Sequence, residues 1–480
     1  MYTGILNKEK ISFKTIEQTI FADVCEAGRK MTVLLLEKLD KKIAEQRDKK
    51  KYRDKGLRKT TIKTIYGEVE YRRHAYITKD ENGKSITVYL LDEELDMNTF
   101  GLISTNLAEK IIETATNAPF RKTAQQTTQM TGQRISHSGV WNLIQAMGES
   151  IEKEEKQMVE EFKTEQARGQ KEIPVLFEEM DGVYLKSQGK GGRKEAGMEV
   201  KVGTIYEGWK ESTGKRSILS GKTVLAGIES SEQFLEKWEA KIQSIYDPEK
   251  IGMRILNGDG GNWIHDEYDA DAIQQLDRFH VVKMIRKNTL HESMRKDMLS
   301  KLRENKIEEL VELGQIYYDS VVTKEGDAKE EELAEELKEY LKIHKEELAS
   351  YKKRGKEIPD PPKGIVYKNM GIQENQNCTL ITLRMKGKRK RWSSSGANNM
   401  IRLLYYRENK ELYDAIERHT DGEMWIEPVK RELGKVISAA KAPKTDGKGN
   451  NRDAEILSAH LPILDSANSR TAQMFRRLCW

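Results

Sequence analysis

Between residues 12 and 50, Ile20, Val24, Met31, Leu35, Leu39 and Ile43 recur at intervals of four and seven among charged residues, which predicts an amphipathic helix. The segment KKIAEQRDKKKYRDKG that follows is strongly charged and predicts a solvated stretch. The period then changes to two. TTIKTIYGEVEYRRHAYITKDENGKSITVYLLDEEL alternates, and ENGK marks a turn between two strand-like runs, so residues 59–91 predict a small β unit. Residues 101–150 return to helical spacing, broken at Ala118-Pro119-Phe120. KTAQQTTQMTGQRISHSGVWNLIQAM predicts helix, a turn at Gly132, then a helix opening at Ile135-Ser136 with Val140 and Trp141 on its core side.

After a charged helix or linker (150–171) the texture turns to strands. IPVLFEEMDGVYLKS, GMEVKVGTIYEGWKES and KTVLAGIE predict three strands, with turns at SQGKGGRK and STGKRS. SEQFLEKWEAKIQSIY predicts an amphipathic helix, with Phe234, Leu235, Trp238, Ile242 and Ile245 on one side. IGMRILNGDG predicts a fourth strand, a helix starts near Trp263, QQLDRFH predicts a short fifth strand, and VVKMIRKN opens another helix. The order β-β-β-α-β-α-β-α is that of an RNase H-like core. Residues 290–352 predict charged, solvated helices, an α-helical hairpin inserted into that core and stopped by PDPPKG. The expected fold class is α/β: an RNase H-like mixed-sheet core (171–289 and 360–420) with a helical insertion (290–359). Before it stand a helical region (1–58), a small β unit (59–100) and a helix-turn-helix-like region with its linker helix (101–170). A tail follows (421–480), whose KAPKTDGKGNN reads as a flexible linker.

Composition narrows this only a little. The length of 480 residues suggests two to four units. The 83 basic and 78 acidic residues nearly cancel, so only local clustering of charge can argue for nucleic acid. Three well-separated cysteines form neither a CxxC pair nor a disulfide framework. The opening MYTGILNKEKISFK has no apolar core of a signal peptide, and no run approaches a membrane span, which predicts a soluble cytoplasmic protein.

The candidate chemistry lies at strand ends. Asp181 ends the first strand of the expected core, and alternation puts it on one face with Glu179 and opposite Glu178. Asp259 ends the fourth strand between glycines. In an RNase H-like sheet these strands are neighbours, so the two carboxylates can share a cation. Read singly, each Asp is more often a strand-end turn residue than a ligand. Two carboxylates held together repel, and a divalent cation removes that cost. Mg²⁺ takes oxygen ligands and keeps waters, so two or three carboxylates suit it. Glu374, near the start of a later helix, is the candidate third carboxylate, and Glu455 is a weaker rival. Lys386, Lys388, Arg389, Lys390 and Arg391, followed by Trp392 and serines, read either as phosphate contacts or as a solvated basic turn. In LDRFHVVK, Arg278 and His280 suit a phosphate contact or a proton shuttle, with a structural His as the plain alternative. The 119–150 region is either a helix-turn-helix, offering His137, Ser138 and Asn142 to DNA, or an ordinary helical hairpin.

LFEEMDGVYLK, ILNGDGGNWI, LDRFHVVKMI and MGIQENQNC…RMKGKRKRWSSSGANNMIRL together resemble the four signature blocks of the ISLre group of bacterial insertion-sequence transposases, long grouped as an uncharacterised protein family. The resemblance runs from about residue 55 to 420 and includes YGEVEYRR and ISHSGVWN. It implies a DDE transposase with Asp181, Asp259 and Glu374 as metal-binding triad, two Mg²⁺ ions with Mn²⁺ as substitute, and a helical insertion between the second Asp and the Glu. DRFH is similar to the Cys/His-type block of Mutator-like transposases, which lies beside the active site there and gives Arg278 and His280 a role. The implied partners are double-stranded DNA, at the element ends and the target, and further copies of the chain, at least a dimer. No membrane is implied. The rivals are a domesticated or decayed DNA-binding protein without catalysis, and an RNase H-like nuclease without strand transfer. A coiled-coil scaffold does not account for the strand-rich 173–281.

Overall fold

The computed structural model describes residues 12–95, 103–166, 169–188, 197–210, 218–261, 272–323 and 328–420. The STGKRS turn, most of SQGKGGRK, the helix expected near Trp263, Glu455 and the tail from residue 421 lie outside the described residues. The chain divides into two units. One comprises Met1–Ala115, Pro119–Leu143 and Asp414–Trp480, the other Thr116–Ala118 and Ile144–Tyr413.

In the first unit, helix α1 (Phe13–Gln46) starts at Ser12, whose side chain accepts from Thr15 N. Strands β1 (Arg53–Thr64), β2 (Gly67–Lys79) and β3 (Ser85–Val88) form an antiparallel sheet in that order. Strand β1 opens before the predicted residue 59. Its first seven residues are exposed, so the charged start of the strand carries no alternation. The second half of α1 packs on this sheet: Val33, Leu36, Leu39 and Ile43 meet Ile62, Val69, Tyr71 and Leu91, the last from α2 (Leu90–Glu94). Ile20 and Val24 are 57% and 58% exposed, because the described sheet underlies only the later turns of α1. Helices α3 (Thr105–Asn117) and α4 (Phe120–Thr131) are parted at Pro119. Gly132 closes α4 in a left-handed conformation (φ 68°), and α5 (His137–Lys163) follows. Val140 is buried as predicted, but Trp141 is 44% exposed and faces away from the core.

The second unit is mixed α/β with several sheets. The largest has five strands in the order β12 (Ile273–Leu276), β11 (Arg254–Gly258), β5 (Leu176–Leu185), β6 (Met198–Tyr206), β9 (Thr223–Gly227). Strands β5, β11 and β12 run parallel, and β6 is antiparallel to both β5 and β9. Counted by appearance, that is 3-2-1-4-5. Two smaller sheets accompany it: β4 (Lys171–Ile173) pairs with β10 (Tyr246–Ile251), and β13 (Ile365–Val366), β7 (Trp209–Lys210) and β8 (Ile218–Leu219) form a triplet.

The two faces of β5 are put to different uses. On one, helix α6 (Ser231–Ile245) brings Trp238 against Gly203, and Trp238 Nε1 and Arg254 Nε both donate to the buried Glu178. On the other, Phe177, Tyr206, Ile255, Ile273 and Tyr351 form an apolar cluster, and Glu179 and Asp181 lie beyond it.

The predicted fifth strand is shorter than QQLDRFH. It ends at Leu276, and Asp277 is the N-cap of α7 (Arg278–Asn288), so Arg278 and His280 belong to a helix. The insertion is not a solvated pair. Helices α8 (Glu292–Glu304), α9 (Ile307–Val322) and α10 (Ala328–Ile343) bury Met298, Leu302, Leu310, Tyr317, Leu337 and Leu341 together with Val281 and Ile285 of α7. Sparse leucines among many charges sufficed for a core because four helices share it. Beyond PDPPKG, α11 (Gln373–Asn377) runs through a π-helical turn (Cys378–Thr382) into α12 (Leu383–Met385). A turn follows, then α13 (Ser394–Glu408) and α14 (Leu412–Thr420).

Candidate metal centre

Sheet register brings the two aspartates together. Asn257 of β11 pairs with Glu179 of β5, so Asp259 leaves β11 alongside Asp181. Gly258 pairs with Leu276 of β12, so Asp277 leaves the next strand alongside Asp259, and its N–H donates to Gly258 O at 2.7 Å. Asp259 and Asp277 thus follow the carboxyl ends of β11 and β12, and Asp181 stands beside them within β5, which runs on to Leu185, so Asp181 does not end its strand as predicted. One turn into α7, His280 turns back to them. Asp181, Asp259 and His280 each offer a ligand atom within 4.8 Å of the others.

The imidazole is oriented by a carboxylate. His280 Nδ1 lies 3.1 Å from Asp277 Oδ2, an acceptor, so Nδ1 carries the proton and Nε2 faces Asp181 Oδ1 at 3.7 Å. A carboxylate behind a histidine whose other nitrogen faces acidic groups is the usual arrangement behind a metal-bound imidazole. The hydrogen bond that His280 donates to Asp277 raises the His280 pKa, burial opposes it, and the charges of Asp181 and Asp277 add to it. Asp181 is pushed up to about 6, first by burial; His280 counteracts, while the charges of Asp259 and Glu374 push further. Such a site fits a divalent cation, which relieves the crowding of acidic groups that lifts Asp181.

At Asp259, turn and ligand coincide. Oδ1 accepts from Gly261 N at 2.9 Å, and Gly260 takes φ +84°, a conformation that glycine adopts without strain. A Cβ on Gly260 would lie 2.9 Å from Leu276 Cδ2.

Glu374 stands in the first turn of α11, exposed and outside the tight group of three, though its charge reaches Asp181. One turn on, Asn377 Nδ2 donates to Asp181 Oδ2 at 2.6 Å, and Gln373 Nε2 donates to Asn377 Oδ1 at 3.0 Å. Helix α11 therefore touches Asp181 through an amide and sets Glu374 beside it. The π-helical turn follows directly, an irregularity often found next to functional positions.

The basic run forms a tight turn. Gly387, Lys388 and Arg389 have φ of 78°, 46° and 57°, and Lys390 N closes on Gly387 O. Lys388, Arg389 and Arg391 are exposed, whereas Lys386 and Lys390 are half-buried and Lys390 Nζ donates to Arg384 O. Burial and the charges of Arg384 and Lys388 lower the Lys390 pKa. Trp392 ties the turn to the end of β5: its N–H donates to Lys186 O at 3.0 Å and its carbonyl accepts from Gln188 N at 2.9 Å. The turn is thus anchored to the strand that carries Asp181.

Arg278 is not placed for DNA as expected. Its guanidinium donates to Leu302 O and to Asn305 Oδ1, fastening the insertion to α7. His137, Ser138 and Asn142 lie exposed on the opening turns of α5 in the first unit, with Trp141 among them. The sequence reading passed over Asn257 and Asn377 as site residues and singled out Asp277 in LDRFHVVK without giving it a role. Each had a local signal: a buried amide two residues before Asp259, an acidic N-cap three before His280, and an amide three after Glu374.

The family model described as "Uncharacterised protein family (UPF0236)" matches residues 6–420. A UPF0236 protein of the vanSb 3′ region of Streptococcus gallolyticus is 25% identical over 484 residues, covering 98% of each chain. A UPF0236 protein of Caldanaerobacter subterraneus subsp. tengcongensis, whose name joins eleven locus designations, is 27% identical over 276 residues, 57% of this chain and 54% of its own. Another from that strain is 24% identical over 363 residues, 71% of this chain and 72% of its own.

Proposed function

The chain belongs to the uncharacterised protein family UPF0236, and on that premise we propose that it is a DDE transposase. It would bind the terminal inverted repeats of its own insertion sequence and catalyse metal-dependent DNA cleavage and strand transfer. The observation that carries this reading is the convergence of Asp181, Asp259 and His280 within 4.8 Å, from the middle of β5, the end of β11 and the first turn of α7. The 3-2-1-4-5 sheet with an antiparallel second strand supports an RNase H-like core. The eleven loci named for one relative are what a self-copying element would leave in a genome.

Asp181 and Asp259 would hold the cations, two Mg²⁺ with Mn²⁺ as substitute, with Glu374 and His280 completing the ligand set. Divalent cations, when bound, supply activation of the attacking oxygen and stabilisation of the leaving one. The rest falls to the chain. Asp277 keeps the lone pair of His280 Nε2 facing the centre, and Asn377 fixes the rotamer of Asp181. Gly260 allows a nucleic-acid backbone to approach Asp259 closely. Lys388, Arg389 and Arg391, anchored beside β5, would clamp phosphates, and the exposed start of α5 would read DNA. The attacking oxygens are those of water and of the freed 3′-hydroxyl, so no side-chain nucleophile is needed. Two element ends must be held together, so the active form is at least a dimer, working in the bacterial cytoplasm. Among the described residues no helix is long and apolar enough to cross a membrane.

The test is cleavage of labelled DNA bearing the element's ends, with Mg²⁺, Mn²⁺ or Ca²⁺, beside Asp259→Asn. Cutting at the element boundary that the substitution abolishes while DNA binding survives supports the reading. Cutting without joining of a pre-cut end would point to a nuclease. Binding with no cutting under any cation would point to a non-catalytic DNA-binding protein.

A further inference from the structure

Glu179 is a fourth acidic residue of the centre, two positions before Asp181 on the same face of β5, and it is fully buried. A buried carboxylate is costly unless hydrogen bonds surround it. Here five donors from three elements do so. Tyr206 Oη of β6 donates to Oε1 at 2.6 Å. Asn257 Nδ2 of β11 donates to Oε2 at 3.1 Å. The successive backbone N–H groups of Gly371, Ile372 and Gln373, at the entry to α11, donate at 3.0, 2.9 and 3.3 Å. Gly371 takes φ +124°, a conformation that a side chain would strain, and this aims its N–H at the carboxylate.

Apart from Tyr206, the donors lead to two different parts of the centre. The three N–H groups hold the residues that open α11, and Glu374 is the next residue after them. Asn257 is two residues before Asp259 and shares its amide nitrogen with Asp277 Oδ1 at 3.3 Å, the residue that orients His280. Its own Oδ1 accepts from Gln275 Nε2 at 2.9 Å, which fixes the side chain. Glu179 itself shares its strand with Asp181. Every candidate ligand is therefore within three links of this one carboxylate, His280 being the most distant through Asn257 and Asp277.

We propose that Glu179 is the positioning residue of the metal centre. It touches neither cation nor DNA, and it fixes the spacing between the β5–β11 strand pair and α11. The inference rests on reading the centre as metal-binding. A group that only stabilised the fold would need donors, but it would not need them from both segments, β11 and the entry to α11, that lead into Asp259 and Glu374.

Mn²⁺ binding to the full chain, followed by calorimetry or by the paramagnetic signal of the free ion, tests this without reference to turnover. Glu179→Gln preserves volume and one acceptor, so the metal-free melting temperature should change little. Mn²⁺ affinity should fall roughly 10- to 100-fold, the usual cost of losing a group that orients ligands. Should Glu179→Gln fail to fold, Tyr206→Phe removes a single donor and should lower Mn²⁺ affinity several-fold with the fold intact. Unchanged affinity in a folded Glu179→Gln, or in Tyr206→Phe where that variant decides, would overturn the inference while leaving the metal centre standing. A wild-type chain that binds no Mn²⁺ would instead overturn the metal centre, and this inference with it.

Discussion

His280 Nε2 stands 3.7 Å from Asp181 Oδ1, an imidazole from the first turn of a helix facing a carboxylate of the central strand. Without a cation the two form an ion pair in a half-buried place. With one, they become neighbouring ligands. The same geometry therefore has opposite pH responses in the two states.

In the metal-free protein, burial first, and then Asp259 and Glu374, lift Asp181 to about 6. Burial also lifts Glu179 to about 7. A carboxyl with a raised folded pKa holds its proton more tightly in the folded chain, so stability rises as pH falls from about 7 toward 5. His280, raised through Asp277, acts in the same direction: its contribution is complete below the unfolded value of 6.5 and fades as pH climbs through the folded one. Glu152 is lowered, chiefly by Lys156, and acts oppositely, but only below its ordinary value of 4.5. Metal-free protein should thus melt a few degrees higher at about pH 5.5 than at about pH 7.5, and saturating Mn²⁺ should shrink or reverse the gap. A scanning fluorimetry series in both conditions decides it; a metal-free melting point that rises from about pH 5.5 to about pH 7.5 would refute the raised carboxyls.

The order of strands and the acidic positions were legible in the chain because β5 and β11 are buried runs that reach Asp181 and Asp259, although β5 continues past Asp181 to Leu185. Period and punctuation suffice for that. Other features depend on partners far away in sequence. Nothing local tells that Ile20 and Val24 overhang the described sheet, or that Trp141 faces outward beside a buried Val140. The insertion misled because its apolar residues are sparse in each helix, and only its three helices together with α7 make a core. Arg278 looked free for DNA because its acceptors, Leu302 O and Asn305, belong to that insertion. At the centre, aspartates were readable as types, but the amides of Asn257 and Asn377 gain meaning only when β11 and α11 meet β5.

The basic turn should act on DNA through charge. Lys388 and Arg389 hold left-handed backbone, so Asn, which tolerates that conformation, is the replacement that removes charge with least strain. Lys388→Asn, Arg389→Asn and Arg391→Gln together should lower the slope of log affinity against log salt by about 2–3, since each phosphate contact contributes roughly 0.9. Filter binding or anisotropy across a salt series reads this directly. An unchanged slope would return the turn to the status of a solvated loop.

Gly203 of β6 is where the sheet accepts Trp238. A Cβ there would lie 2.3 Å from a carbon of the indole ring, whose Nε1 also satisfies Glu178. Gly203→Ala must displace Trp238 or bend the strand, which should cost about 1–3 kcal/mol in chemical denaturation. A loss below roughly 0.5 kcal/mol, the usual scatter of neutral surface changes, would mean that the indole moves freely.

Asp277→Asn examines whether His280 serves as an oriented ligand or only as a counter-charge to Asp181. The wild-type carboxylate can only accept, which leaves the proton on Nδ1 and the lone pair of Nε2 toward the centre. An amide at 277 can donate, so it can bind the other tautomer and move the proton to Nε2, aimed at Asp181 Oδ1. If His280 is a ligand, that swap blocks it, and Mn²⁺ affinity should fall about 10- to 100-fold. Replacing the histidine itself, His280→Ala, should then cost at least as much. If His280 is only a counter-charge, Asp277→Asn should leave Mn²⁺ affinity within about twofold, because the cation itself takes over the neutralisation of Asp181 and Asp259. Calorimetric titration of the two variants separates these cases, with circular dichroism as the check that α7 still forms.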